Sequence, residues 1–221
     1  MITVHHLADS RSQRVLWLLE ELGLDYEVKR YERDPRTRLA PPELKAVHPL
    51  GKSPVLQDGD VTVAETGAVV EYLLDTYGQG RLRPAAGTEA ARRFTYWLHY
   101  AEGSAMPPLL LKLVFNMLPR RSPALMRPLV NNIAAKAQSS FVDPQTRAHV
   151  EYWEAELTRH EWFAGDDFSG ADIMMSFPVE AGADRAFDVA GKPRLKAFLD
   201  RIHARPAYVR ALERGGAYTY A

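Results

Sequence analysis

The sequence HPLGKSPVL, residues 48–56, decides between two interpretations of the N-terminal part of the chain. Its centre, Gly51-Lys52-Ser53, matches the end of a phosphate-binding loop, which also needs a glycine five residues before the Gly-Lys pair and a helix after it. Ala46 occupies the position of that glycine, and PVLQDG, which begins directly after Ser53, has a strand pattern. Both requirements fail, so the sequence argues against a nucleotide site.

Pro54 is the informative residue of this stretch. Proline cannot donate a hydrogen bond to a sheet and is therefore typical of the first position of a strand. The sequence PVLQDGDVTV then predicts two short strands joined through Asp58-Gly59, which is a strong hairpin signal. On spacing alone an ordinary trans bond before Pro54 is favoured, since only about one X-Pro bond in twenty is cis.

Around this hairpin, residues 1–78 alternate between strand and helix patterns. ITVHHL and DYEVKRY indicate strands, RVLWLLEEL carries an apolar helical stripe that ends at Gly23, and PPELKAV indicates a short helix. A further helix begins after Glu65-Thr66 and ends at Tyr77-Gly78. The predicted order is β-α-β-α-β-β-α, which makes a small mixed sheet covered by helices.

The rest of the chain has a helical pattern. Residues 79–88 are rich in Gly, Pro and Arg and are predicted to be a linker. Helices are predicted over 89–117, 123–140, 143–162, 170–184, 192–204 and 207–214, with breaks or kinks at Pro107-Pro108 and Pro178. The fold class is therefore α+β with two domains, of which the second, residues 89–221, is all-helical.

Composition excludes several classes of site. The 221 residues contain no cysteine, which rules out disulfides, thiolate metal sites and a cysteine nucleophile in this chain. The seven histidines show no metal-ligand spacing, so no metal is expected. A formal net charge of zero and short apolar runs argue against nucleic-acid and membrane partners. We expect a cytoplasmic protein.

The layout, together with the motifs GKSPVL, ETGAVVEYL and FSGADI, resembles that of the cytosolic glutathione transferases over essentially all of the chain. The resemblance implies a thioredoxin-like domain at residues 1–78, glutathione as co-substrate and a homodimer. It also implies that the Ser53–Pro54 bond is cis and that the backbone of Ser53 pairs with the cysteinyl unit of glutathione. FSGADI itself is a capping box, and its predicted role is structural.

The same resemblance implies further glutathione-binding residues. Glu65 and Thr66 begin a helix, where free N–H groups would hold the γ-glutamyl carboxylate, while Glu65 would accept from the ammonium group. From the residues alone, Thr66 could equally be a helix cap and Glu65 a solvated charge. Lys52 stands where the family often contacts the glycine end of glutathione, with a solvated surface lysine as the alternative.

The group that stabilises the thiolate is expected after the first strand, where the family places a Tyr, Ser or Cys. Ser10 has the spacing of theta-like members, and Ser12 is the second candidate. Phi-like spacing falls on Asp9, which cannot donate to a thiolate. Ser10-x-x-Gln13 also fits a capping box, which is the structural alternative. A backbone N–H group or Arg11 remains open as the donor.

The predicted activity is conjugation of the glutathione thiolate to a small apolar electrophile, with reduction of a peroxide as a related reaction. Two alternatives stay open: a glutathione-dependent disulfide reductase without a protein cysteine, and a non-catalytic binding protein for glutathione or apolar ligands. Tyr96, Tyr100, Met106 and Phe115 follow one helix and could line the pocket, the core or the dimer interface.

Overall fold

The computed structural model describes residues 1–37 and 39–220. Its sheet contains β1 (Ile2–Leu7), β2 (Tyr26–Tyr31), β3 (Val55–Asp58) and β4 (Val61–Ala64), in the order β2-β1-β3-β4. β1 runs parallel to β2 and antiparallel to β3, and β3 and β4 form the predicted hairpin. At its turn Gly59 has a φ of 57°, a conformation that glycine adopts at little cost. The mixed sheet therefore agrees with the predicted order of elements.

Three helices belong to the same part of the chain: α1 (Gln13–Leu22), α2 (Leu44–Val47) and α3 (Thr66–Tyr77). α1 ends at Gly23, whose φ of 67° lies in the left-handed region, as the sequence predicts. Its apolar stripe is buried, with Val15, Leu16 and Leu18 at zero exposure. These side chains join the core that β1 and α3 share.

In the part of the chain that the structure describes, seven α-helices follow: α4 (Glu89–Tyr100), α5 (Met106–Arg121), α6 (Arg127–Ala137), α7 (Asp143–Arg159), α8 (Gly170–Arg185), α9 (Pro193–His203) and α10 (Pro206–Gly215). The helix predicted over 89–117 is interrupted before its prolines, by a π-helical turn at Ala101–Ala105, and then continues to Arg121. Pro107 and Pro108 lie in the first turn of α5, where a missing N–H group costs little. α8 runs through Pro178 without a break.

α8 is the central helix of this helical part, and its residues 170–182 are all buried. Its N-terminus carries the predicted capping box: Asp172 Oδ2 accepts from the Ser169 N–H at 2.9 Å, and Oδ1 accepts from the Phe163 N–H at 2.8 Å. Burial raises the pKa of Asp172 to about 6 although these hydrogen bonds lower it. The motif FSGADI therefore has the structural role that the sequence predicts.

α1 connects the two parts of the fold, because it packs against α3 on one side and against α8 and α10 on the other. The guanidinium group of Arg14 is almost completely buried there and donates from Nη1 to the Met174 carbonyl of α8 at 2.7 Å. In the described part of the chain, no helix has both the length and the apolarity needed to span a membrane. The start of α1 thus lies where the two parts meet.

Candidate functional site

The Ser53–Pro54 peptide bond is cis, which is the geometry that the resemblance implies. Ser53 Oγ donates to the His5 carbonyl at 2.8 Å and accepts from the Leu7 N–H at 3.2 Å, so the hydroxyl is bound to β1. Among residues 1–37 and 39–220, no hydrogen bond uses the backbone N–H or carbonyl of Ser53. This backbone can therefore pair with an extended peptide as an added strand.

Gly51 explains why this stretch looks like a phosphate-binding loop. Its φ is 56°, and a Cβ atom at this position would lie 2.8 Å from Cγ of Lys45. The glycine therefore serves the turn before Pro54. The neighbouring Lys52 is exposed and makes no hydrogen bond or ion pair with another described residue, so its ammonium group is available to a ligand.

Glu65 and Thr66 lie at the N-terminus of α3. Glu65 is the N-cap residue, is exposed, and has a φ of 71°, which is uncommon for a residue other than glycine. The Glu65 side chain makes no capping hydrogen bond, and Thr66 is the first residue of the helix and not its cap. The first N–H groups of a helix need acceptors, and together with the helix dipole they form a site for an anion. Thr66 itself is 3% exposed and lies at the N-terminus of α3, as its first residue.

The two candidate serines are buried at the start of α1. Ser12 is 0% exposed and Ser10 is 6% exposed. Their hydroxyl oxygens are 2.7 Å apart, and the Ser12 N–H donates to Ser10 Oγ at 3.2 Å. The predicted Ser10-x-x-Gln13 capping box does not form, because Ser12 is the N-cap residue without a side-chain cap. The amide group of Gln13 is instead buried beneath α10 without a hydrogen-bond partner among the described residues.

His6 completes this hydrogen-bond chain, which the sequence did not reveal. Its Nδ1 lies 2.8 Å from Ser12 Oγ, and the backbone of Gly215, which lies beside the ring, raises its pKa. Burial and the charge of Arg30 lower the pKa of His6 to about 4, so the ring is neutral at pH 7. A neutral imidazole has one donor and one acceptor nitrogen, so Ser12 and His6 share one hydrogen in this contact.

Arg11 and Arg14 share one carboxylate across the cleft between the two parts of the fold. Arg11 Nε donates to Glu102 Oε2 at 2.9 Å, and Arg14 forms an ion pair with Oε1 of the same residue. Both guanidinium groups also lie 5.4 Å from the ring centroid of Phe177 in α8. Burial raises the pKa of Glu102, but the charges of Arg14 and Arg11 hold it below its ordinary value.

The C-terminal residues lie beside this cleft. The N–H and hydroxyl groups of Thr219 donate to Asp9 Oδ1 at 2.9 and 2.8 Å. Tyr218 donates to the buried Glu180 at 2.6 Å, and Tyr220 packs edge-to-face on Phe177 with the ring centroids 5.5 Å apart. These contacts span up to 210 residues of sequence, so no local pattern could have indicated them.

The four candidate pocket residues separate into two groups. Tyr100 and Met106 are 8% and 5% exposed and belong to the hydrophobic core, where the Tyr100 hydroxyl accepts from Trp153 Nε1 at 3.1 Å. Tyr96 is 46% exposed and stacks on Tyr100, and Phe115 lies in a groove between α5 and α6. In the described residues no group of three His, Cys, Asp or Glu could hold a metal ion.

Comparison with known proteins decides the family. Residues 1–75 match the family model for the glutathione S-transferase N-terminal domain, and residues 117–206 match the model for the C-terminal domain. The chain belongs to the glutathione S-transferase family. Glutathione S-transferase 3 of Schizosaccharomyces pombe is 34% identical over 210 residues, which cover 94% of this chain and 85% of that protein. Glutathione S-transferase 1 of Saccharomyces cerevisiae is 32% identical, over an alignment that covers 98% of this chain and 96% of that protein.

Solved structures show the same two-domain fold. A glutathione S-transferase from Actinobacillus pleuropneumoniae is 35% identical to this chain. The two structures align with a TM-score of 0.81, over 99% of this chain and 94% of the Actinobacillus chain. A sphingomonad glutathione S-transferase complexed with glutathione is 25% identical, with a TM-score of 0.74 over 97% and 98% of the two chains. The protein is therefore a glutathione transferase, an enzyme with glutathione as its co-substrate.

Proposed function

We propose that this enzyme conjugates glutathione to small apolar electrophiles, with the tripeptide extended along the backbone of Ser53. The open backbone before the cis bond and the uncapped N-terminus of α3 carry the proposal. Glutathione needs a strand-like edge for its cysteinyl unit and an anion site for the γ-glutamyl carboxylate. The domain offers both.

Three further residues complete the proposed binding site. The Thr66 N–H and hydroxyl groups hold the γ-glutamyl carboxylate, and the exposed carboxylate of Glu65 accepts from the ammonium group. Lys52, also exposed, pairs with the glycine carboxylate at the other end. Each charged group of the tripeptide then has a partner of opposite charge or a hydrogen-bond donor.

The thiol lies near the start of α1, because Ser53 is bonded to Leu7, the last residue of β1, and the loop after Leu7 leads into the helix. Ser10 and Ser12 are the candidate catalytic residues in this loop. Ser12 is fully buried and its hydroxyl is hydrogen-bonded to both His6 and Ser10, so its part in the site is to hold Ser10. The electrophile lies against the aromatic wall that Phe177 and Tyr220 form.

A homodimer is part of the proposal. Within the described residues, α5, α6 and the turn after α6 expose seven large apolar side chains: Leu110, Leu111, Val114, Leu118, Leu129, Ile133 and Phe141. Such a face is costly in water, and a second copy of the chain would cover it. A cytoplasmic location is proposed as well, since the cytosol maintains glutathione in its reduced form.

Turnover of three substrates with glutathione tests the proposal: a chloronitroarene, cumene hydroperoxide and a small disulfide. We expect conjugation of the chloronitroarene, with or without reduction of the peroxide. Activity on the disulfide alone would select a glutathione-dependent reductase. Binding of glutathione without any turnover would select a binding protein, and absence of glutathione binding would refute the proposed site.

A further inference from the structure

The Ser10 hydroxyl is part of a buried hydrogen-bond network at the start of α1. Ser10 Oγ lies 2.7 Å from Ser12 Oγ, which in turn lies 2.8 Å from His6 Nδ1. The Ser12 N–H donates to Ser10 Oγ at 3.2 Å. Ser10 is 6% exposed, so its hydroxyl is engaged inside the protein, whereas a thiolate needs a donor directed at the cleft.

Arg11, in the same loop, has N–H donors that no described residue accepts. Among the described residues only its Nε is hydrogen-bonded, to Glu102, while its two NH₂ groups have no hydrogen-bond partner. Its side chain is 35% exposed, in contrast to 1% for Arg14. The guanidinium group is therefore accessible from the cleft and fixed by Glu102 and by the face of Phe177.

Two guanidinium groups share one carboxylate at this point, because Arg11 and Arg14 both pair with Glu102. The buried carboxylate of Glu180 accepts from Tyr208 and Tyr218 instead. Arg11 is the more exposed of the two arginines, and its positive charge favours an anion next to it.

We propose that the Arg11 guanidinium group, rather than the Ser10 hydroxyl, stabilises the thiolate of bound glutathione. This inference rests on the proposed function and identifies the group that serves it. Ionisation breaks the S–H bond and releases the proton to solvent. The sulfur electron pair then forms the bond to the electrophilic carbon, and the leaving group departs with its own electron pair. The N-terminus of α1 adds to the positive potential at sulfur.

The test measures the pKa of the thiol in the complex with glutathione, from the absorbance of the thiolate against pH. We expect Arg11→Gln to raise this pKa by about one unit, which is about a tenfold loss of thiolate below the pKa. Arg11→Lys keeps the charge and should retain most of the effect. Arg92→Gln removes an exposed arginine on α4 and is the matched control, which should behave as the wild type.

The pH profile separates this role from a structural one. For Arg11→Gln, kcat/KM should fall about tenfold near pH 6 and recover above pH 9, where glutathione is ionised without help. The affinity for S-methylglutathione, which has no thiolate, should stay unchanged. Glu102→Gln removes the neutralising carboxylate and should lower the thiol pKa, a shift opposite to that of Arg11→Gln.

Ser10→Ala tests the alternative that the Ser10 hydroxyl is the donor to the thiolate. If Ser10→Ala raises the thiol pKa while Arg11→Gln and Arg11→Lys leave it unchanged, the serine is the donor and the inference is wrong. If Arg11→Gln also weakens the binding of S-methylglutathione, the site has been distorted, and the other two variants then decide: the inference requires that Arg11→Lys keeps the thiol pKa near that of the wild type and that Glu102→Gln lowers it. Failure of the wild type to bind glutathione would refute the proposed function itself, and this outcome is distinguishable from the others.

Discussion

Ser53 and His5 are 48 residues apart in sequence, yet Ser53 Oγ lies 2.8 Å from the carbonyl oxygen of His5. This bond and a second one to the Leu7 N–H attach the turn before Pro54 to β1. The hydroxyl is thereby used inside the domain, and the backbone of Ser53 remains for a ligand. The contribution of Ser53 to the site is accordingly its position and its backbone.

Ser53→Ala should therefore affect stability more than catalysis. Loss of two hydrogen bonds should lower the free energy of unfolding by about 1–2 kcal/mol, measured with denaturant. The Ser53 backbone, which is proposed to pair with glutathione, persists, so kcat at saturating glutathione should change less than about threefold. A large loss of kcat with unchanged stability would show that the hydroxyl itself takes part in the reaction.

Thr66→Val tests the anion site at α3. The change keeps the shape of the side chain and removes one donor, so the Kd for glutathione, measured by calorimetry, should rise about tenfold, which corresponds to about 1.4 kcal/mol. Thr158→Val on α7 is the control and should leave the Kd unchanged, since Thr158 is exposed and its hydroxyl bonds only within its helix. A glutathione analogue without the γ-glutamyl carboxylate should bind the wild type and Thr66→Val equally well. Unequal binding of that analogue would contradict the assignment.

Gly215→Ala tests the packing that holds His6. A Cβ atom there would lie 2.5 Å from Gln13 Oε1 and 3.0 Å from Leu16 Cδ1, so these buried side chains or α10 must shift. We expect a loss of about 1–3 kcal/mol in the free energy of unfolding. Gly191→Ala is the matched control, because no atom lies within 4 Å of the added Cβ. Equal stabilities of the two variants would show that α10 is not closely packed.

His6 should make the wild type sensitive to acid. Its pKa is lowered in the folded state to about 4, from 6.5, so the unfolded chain binds the proton more tightly in this range. Stability is then fully present above pH 6.5 and is lost as the pH falls towards 4, by up to about 3 kcal/mol. His6→Gln lacks this loss. Asp172 titrates in the opposite sense in the same range, and it does so in both proteins. The measurement is therefore the difference in the free energy of unfolding between the wild type and His6→Gln at each pH.

The proposed dimer is tested at its apolar face. Ile133, on α6, is 60% exposed, and Ile133→Glu would place a charge in the covered interface. We expect the wild type to sediment as a dimer and this variant as a monomer at micromolar concentration. Val209→Glu alters a 43% exposed residue on α10 and should leave the dimer intact. A monomeric wild type would disprove the proposed assembly.

Local patterns predicted those parts of the structure that local chemistry determines. The Asp58-Gly59 turn, the end of α1 at Gly23 and the capping box at Ser169 each depend on a few adjacent residues. The interruption at residues 101–105 was not predicted because it contains no proline and only one glycine. Its position brings Glu102 towards α1, which only tertiary packing determines.

The candidate site shows the same division. Pro54, Glu65 and Thr66 could be found because they belong to motifs. The hydrogen-bond chain of His6, Ser12 and Ser10 could not be found from motifs, because it depends on how the start of α1 folds back on β1. The ion pair between Arg11 and Glu102 joins residues 91 positions apart, and no local pattern around either residue indicates it.

The most direct test of the central claim is a crystal structure of the enzyme with glutathione. We expect two hydrogen bonds between the cysteinyl main chain and the N–H and carbonyl groups of Ser53, at ordinary distances of about 2.9 Å. The γ-glutamyl carboxylate should accept from the Thr66 N–H at the start of α3. Glutathione bound away from Ser53, or with this carboxylate far from α3, would contradict the account.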